Sequence, residues 1–183
     1  MTRTRGLILD RDGVVNIDTG YLHRIEECRF VDGIFDLARL FAGRGFRLAI
    51  ATNQSGIGRG YFTAADFDRL MGWMQDRFRA EGVEIDRIYH APEHPDAVPS
   101  RPGWRKPGPG MLLQAIADLD LDPAQSWAIG DHPRDLMAAE AAGIAHRVLL
   151  DPAVPETSRQ AGHWIVPRLA EIGPLLQRTV DAV

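Results

Sequence analysis

Short apolar runs alternate with helical patterns along most of this 183-residue chain, and that alternation restricts the fold more than any single residue does. The runs Gly6–Asp10, Phe46–Ala51, Ile85–Tyr89, Ser126–Ile129 and Arg147–Leu150 are nearly unbroken. A strand with one wet face alternates apolar and polar side chains, so continuous runs fit parallel strands covered on both faces. Between them, Ile34–Ala42 reads as a helix closed by Gly43 and Gly45. Thr63 is placed to cap the next, with Asp66 three residues on and an apolar stripe of Phe67, Leu70, Met71, Met74 and Phe78. Pro109–Leu119, opened by its proline, and Pro133–Ala142, closed by Gly143, are two more. Right-handed strand–helix–strand units of this kind make an α/β protein with a doubly wound parallel sheet. Two irregular stretches interrupt the pattern, 13–32 and 91–109, the second carrying six prolines between Pro92 and Pro109. Neither suffices for a separate domain, so residues 1–183 read as one domain with these loops as pocket walls. After Asp151, a strand around Trp164 and a short helix close the chain.

Charge excludes several partners. With 25 acidic and 21 basic residues the net charge is −4, which leaves no basic surplus to neutralise a nucleic acid or an anionic membrane. No apolar run nears the roughly 20 residues that span a bilayer. After the basic stretch Met1–Arg5, the run Leu7–Leu9 is too short for a signal-peptide core. A lone cysteine, Cys28, excludes a disulfide scaffold and a cysteine-based zinc site, and reads as a small packed residue. A soluble, cytoplasmic monomer is expected. Of the basic residues twenty are arginine, and Lys106 is the one lysine. It stands there by chance or because a compact ammonium on a thin stem is needed.

Ligands of open parallel sheets bind beyond the carboxyl ends of the strands. There the chain places Asp10-Arg11-Asp12-Gly13, Thr52-Asn53-Gln54-Ser55-Gly56, and Gly130-Asp131 with Asp135 one turn into the next helix. Lys106 is expected to open the helix before the fourth strand. Carboxylates from two strands make a hard oxygen site suited to Mg²⁺, which keeps waters or phosphate oxygens as its other ligands. Beside it, Asp10 can attack a phosphoryl group, and Asp12 can protonate the leaving alkoxide and then activate water. Thr52 and Lys106 can stabilise the transferred group.

In this order, Asp-Arg-Asp-Gly, Thr-Asn-Gln-Ser-Gly, Arg105-Lys106-Pro107 and Gly-Asp-x-x-x-Asp resemble the motifs of the haloacid dehalogenase superfamily of phosphohydrolases. Within it the chain is more similar to the D-glycero-D-manno-heptose 1,7-bisphosphate 7-phosphatases and the related histidinol-phosphatases, from about Leu7 to Leu150. The resemblance implies a haloacid dehalogenase core without a large cap domain, Asp10 as nucleophile, Asp12 as acid/base, and Thr52 and Lys106 stabilising the phosphoryl group. It implies Mg²⁺ held by Asp10, the Asp12 carbonyl and Asp131. Arg105 would recognise the substrate, and Asp18, Thr19, Gly20, Tyr21, Asn53, Gln54 and Ser55 would line the pocket. His132, where relatives carry Lys or Ser, is counted among the substrate-binding residues. The implied substrate is a small phosphorylated sugar, the heptose bisphosphate at its 7-phosphate, with histidinol phosphate or another small phosphomonoester as the alternative. Relatives also hold a structural zinc through Cys-x-His and Cys-x-Cys in the proline-rich loop. The corresponding Ala91, Glu93, Pro102 and Trp104 supply no thiolate, so zinc is expected to be absent, and His90, Glu93, His94 and Asp96 form no closed tetrahedral set. Trp104 and the prolines are expected to hold this loop by packing.

Other signals read as structure. Gly56-Ile57-Gly58-Arg59-Gly60 puts Tyr61 where a dinucleotide fingerprint needs its last glycine, and it follows the second strand rather than the first. Its glycines are expected to form a turn that lets backbone approach phosphate, with Arg59 either a surface charge or a substrate contact. Asp135 is expected to orient Lys106 or Asp131. A receiver-type signalling module also phosphorylates an Asp beside Mg²⁺, Thr and Lys. Such a module would carry that Asp on a middle strand and its lysine after the last strands, which this order of motifs contradicts.

Overall fold

In the computed structural model, which describes residues 3–160 and 162–180, all five expected parallel strands join one sheet of seven. Met1 and Thr2 of the basic N-terminal stretch lie outside the described residues. The strands are β1 (Gly6–Leu9), β2 (Arg47–Asn53), β3 (Arg87–Ala91), β4 (Trp127–Gly130), β5 (His146–Leu150), β6 (Ser158–Gln160) and β7 (His163–Val166). Their order is β3-β2-β1-β4-β5-β7-β6, parallel throughout except where β6 meets β7. β7 is the closing strand expected around Trp164. No strand is legible at β6, because Ser158-Arg159-Gln160 has no apolar alternation. It is a short edge strand paired by backbone, with the Arg159 guanidinium over the Trp164 ring at 5.3 Å.

The unbroken runs divide by alternate residues, as pleating requires. Leu7 and Leu9 of β1 and Leu48 and Ile50 of β2 face a core shared with α1 (Ile34–Ala42), α3 (Ala64–Ala80) and α6 (Ile172–Val180). Ile8, Ala49 and Ala51 face the opposite layer, α4 (Gly110–Asp118) and α5 (Pro133–Ala141). Large side chains such as Phe41, Met74 and Phe78 fill the first core. Methyl-sized ones, Ala115, Ala138 and Ala139 against Ala49, Ala51 and Ala128, fill much of the second. The expected cap on α3 is a full capping box, with Thr63 Oγ1 accepting from the Asp66 N–H at 3.1 Å and Asp66 accepting from the Thr63 N–H at 2.9 Å.

Three local expectations change. β3 starts two residues later than its apolar run, and its pairing sets His90 and Ala91 opposite Thr52 and Asn53. Lys106 does not open a helix: α4 starts at Gly110, and Lys106 precedes it in a turn, joined to Pro107 by a cis peptide bond. Pro107 and Pro109 explain this, since each disfavours helical backbone in the residue before it. Of the glycines after Gln54, Gly56 and Gly58 lie in a short helix, α2 (Ser55–Gly58), and Gly60 in the turn that follows it. Gly58 serves the proline-rich loop: its N–H donates to the Pro92 carbonyl at 2.8 Å, and a Cβ there would strike the backbone of Pro92–His94.

Trp104 ties that loop down by packing, as expected. Its buried ring donates through Nε1 to the His90 carbonyl at 2.8 Å and lies under the Arg101 guanidinium at 3.6 Å. Cys28 is buried in the larger core. No helix among the described residues is long and apolar enough to cross a membrane. The chain winds outward from β1 in both directions, so the topological switch falls between the carboxyl ends of β1 and β4.

Candidate active site

At that switch β1 gives way to Asp10, whose N–H extends the ladder to the Ile129 carbonyl of β4 at 2.9 Å. The next residue, Arg11, is fully buried. Its guanidinium donates to the Asp12 carboxylate through Nε at 3.0 Å and Nη2 at 2.7 Å, and to the Leu22 carbonyl at 3.2 Å. Asn16 and Gln54 donate side-chain amide hydrogens to the same carboxylate at 3.0 and 2.9 Å. Gln54 also donates to Thr52 Oγ1 at 2.8 Å, so one amide joins the end of β2 to the Asp12 side chain. Motif spacing assigns Arg11 no role. The available signal is a cation between two acids at a strand end, where each charge needs a partner once solvent is excluded.

Lys106 is 4% exposed. Its Nζ meets Asp10 Oδ1 at 2.9 Å and Asp135 Oδ1 at 2.6 Å, and donates to the Ala51 carbonyl at 2.8 Å. The ammonium thus donates to one carbonyl and pairs its charge with two carboxylates. The backbone is held too: the Asn53 amide donates to the Lys106 carbonyl at 3.0 Å and accepts from its N–H at 3.1 Å. Burial disfavours the charged amine, but Asp10 and Asp135 outweigh it and raise its pKa above the ordinary lysine value. Of the two roles open to Asp135, the contact it makes is with Lys106, while its Oδ2 accepts from the His132 N–H at 3.0 Å.

Asp10, Asp131 and Asp135 each present an oxygen, all within 4.8 Å of one another. Burial pushes the Asp10 carboxyl up to about 6, against the pull of Lys106. Burial, followed by the charges of Asp10 and Asp135, pushes Asp131 up to about 7. Carboxyls crowded in this way are held short of full ionisation, and a divalent cation relieves that. Gly13, at φ +85°, makes room for Asp131: a Cβ there would strike its carboxylate. A set of hard oxygens with compressed negative charge fits Mg²⁺.

A cavity of about 250 Å³ opens above these groups. Of the residues expected around it, Asp10, Asp12, Asp18, Gly20, Tyr21, Thr52, Asn53, Gln54, Ser55, Arg105 and Asp131 form its lining. Lys106 sits behind Asp10 rather than on the surface. Two expectations fall outside. Thr19 is exposed on a turn that the Gly20 N–H closes onto Asp18 Oδ1 at 2.8 Å. His132 is exposed and caps α5, its Nδ1 accepting from the Arg134 N–H at 3.3 Å, so its ring is committed to the helix end. Gly56, one of the glycines expected to bring backbone toward phosphate, also lines the cavity, and so does Arg134, to which the motifs assign no role. The signal for Arg134 is a cation in the first turn of α5, where the helix dipole favours acids.

A family model described as HAD-hydrolase-like matches residues 103–172. The Yersinia pestis protein named D-glycero-beta-D-manno-heptose-1,7-bisphosphate 7-phosphatase is 42% identical over 172 residues, covering 91% of this chain and 92% of that one. The chain belongs to the haloacid dehalogenase-like hydrolases. Another relative in this family, from Burkholderia mallei (strain ATCC 23344), is named the 7-phosphatase of the alpha anomer. It is 45% identical over 154 residues, covering 81% of this chain and 80% of its own. Among solved structures, D,D-heptose 1,7-bisphosphate phosphatase from B. bronchiseptica, complexed with magnesium and phosphate, superposes with a TM-score of 0.82 at 30% identity. That match covers 96% of this chain and 99% of the other. The match takes in nearly the whole chain, and among the described residues no large cap stands above the cavity.

Proposed function

We propose that this chain is a Mg²⁺-dependent phosphatase that removes the 7-phosphate of D-glycero-D-manno-heptose 1,7-bisphosphate through an aspartyl-phosphate. One observation carries the reading: Asp10, held by the only lysine, faces a cavity shared with Asp12, Thr52 and Asp131. Oδ1 of Asp10 meets Lys106 and accepts from the Arg11 N–H at 2.8 Å, which leaves Oδ2 to attack phosphorus. As the bond from phosphorus to the sugar oxygen breaks, Asp12 gives that oxygen a proton. It then takes a proton from the water that cleaves the aspartyl-phosphate, freeing phosphate and restoring Asp10. Arg11, Asn16 and Gln54 orient Asp12 for both transfers, and Thr52 donates to a phosphoryl oxygen. Bound Mg²⁺, held by Asp10, the Asp12 carbonyl and Asp131, supplies charge neutralisation between the nucleophile and a phosphate dianion. The enzyme is read as a cytoplasmic monomer of one domain, with 13–32 and 91–109 as its specificity loops.

Phosphate release is the test, with both anomers of the heptose bisphosphate, histidinol phosphate and hexose phosphates, in Mg²⁺ or in chelator. The heptose bisphosphate is expected to have the highest kcat/KM, and chelator to abolish turnover. Preference for histidinol phosphate would overturn the substrate, and fast turnover without any divalent metal would overturn the mechanism.

The crowded acids also predict how stability depends on pH. Asp10 rises from 3.8 to about 6 and Asp131 from 3.8 to about 7, so the metal-free native state binds more protons than the unfolded chain in that range. Stability of the metal-free protein therefore falls as pH rises from about 4 to about 7. Mg²⁺ competes with those same protons. At pH 8, Mg²⁺ at ten times its Kd should raise Tm by about 3–6 °C, and by less at pH 5. Thermal melts at the two pH values check this, and an equal shift at both would refute it. Elemental analysis of the purified protein is expected to find no stoichiometric zinc; one zinc per chain would show that the 91–109 loop binds metal after all.

A further inference from the structure

Arg105 and Arg134 enter the cavity from different elements, the turn before α4 and the first turn of α5. Among the described residues neither guanidinium forms a salt bridge, and each keeps a buried nitrogen without a hydrogen-bond partner, Nη1 of Arg105 and Nε of Arg134. Three features make this arrangement unfavourable in the absence of an anion. Burial lowers the Arg105 pKa, and the like charges of Arg134 and Arg59 lower it further. Arg134 stands at the second position of α5, against the helix dipole. A buried N–H with no acceptor carries its own desolvation cost. Local rules broken together at one place on a cavity wall mark a site shaped for its ligand.

The reacting phosphoryl group does not need these cations. On the function proposed above, it is met by Asp10, Thr52 and the metal on the cavity floor. Heptose bisphosphate carries a second phosphate that stays on the product. We propose that Arg134 is a specificity-determining residue that binds this second phosphate, beside Arg105, whose part in substrate recognition the family resemblance already implies. Guanidinium groups suit the task, because a planar fork gives charge-assisted hydrogen bonds to two phosphate oxygens at once. The inference rests on the heptose bisphosphate reading and explains how the protein manages with His132 turned away as a helix cap: the cation on this wall comes from two residues further along. The competing role for Arg134 is to offset the charge of Asp131, which it does in part. Its other charged neighbours are Asp135, next in the chain and paired with Lys106, and the like-charged Arg105, which Arg59 also faces.

The two roles separate in kinetics. The experiment measures kcat/KM with saturating Mg²⁺ for heptose 1,7-bisphosphate and for heptose 7-phosphate, which presents the same reacting group without the second phosphate. Wild type should prefer the bisphosphate. Arg134→Gln should lower that preference by roughly tenfold or more, mainly through KM, and Arg134→Lys should restore part of it. If Arg134 only balances Asp131, both substrates slow by the same factor and Mg²⁺ affinity changes, an outcome that overturns the inference. A wild-type enzyme with no preference between the two substrates overturns it as well. Wild type inactive on both overturns the proposed function itself, and this is seen before any variant is made.

Discussion

Asp10→Asn is expected to lower phosphate release at least about a thousandfold while the protein keeps its fold. The amide oxygen is a poor nucleophile, and the variant also removes one ligand from the proposed metal site. Folding survives for a specific reason: Lys106 keeps Asp135 at 2.6 Å and the Ala51 carbonyl at 2.8 Å, so its buried charge is not stranded. Asp131, meanwhile, loses a like-charged neighbour that helps push its carboxyl up to about 7. Circular dichroism melts should therefore place the metal-free variant at or above wild type at pH 8. Turnover within tenfold of wild type would remove Asp10 as the nucleophile, and a collapse in Tm would show that its first duty is structural.

Lys106→Arg carries the second large effect. A charge-conserving change on a surface would pass unnoticed, but here the ammonium meets a carbonyl and two carboxylates in a space that is 4% exposed. A guanidinium is wider, and its hydrogens diverge in a plane rather than converging from a point. It cannot contact Asp10, Asp135 and the Ala51 carbonyl in the same way without shifting β1 or α5. Overpacking of this kind costs about 1–3 kcal/mol, and displacement of the nucleophile should lower kcat about a hundredfold. Lys106→Met removes the cation and leaves two buried carboxylates facing each other, with an expected loss of about 3–5 kcal/mol. Arginine at 106 with wild-type kcat would mean that the cation matters and its shape does not. Equal stability in the methionine variant would mean that neither does.

The sheet was legible because its strands are buried on both faces, and an unbroken run such as Leu7-Ile8-Leu9 has few other uses. The acids at its rim were legible because open sheets bind ligands at one end, so chain position translates directly into place. What escaped depends on partners distant in sequence. Arg11 looks like any charged residue after a strand until Leu22 and Asp12 close around its guanidinium. His132 stands beside Asp131, which suggests the pocket, but its extended backbone turns the ring into the cap of α5. Arg134 looks like a surface charge, although its place in a helix's first turn already argues against that. β6 is set by the strand beside it and has no pattern of its own to read.

The lysine has a consequence outside catalysis. Acylating and carbamylating reagents need a neutral amine with a free lone pair, and the 183 residues offer one side chain that could provide it. Its nitrogen is buried, ion-paired to two carboxylates and held above the ordinary lysine pKa, so the folded protein protects it. Any acyl group found on Lys106 therefore records an opening of this one site. Lysine modification, which on most proteins reports an average over a scattered set of surface side chains, becomes in this chain a single-position clock for how often the floor of the cavity comes apart.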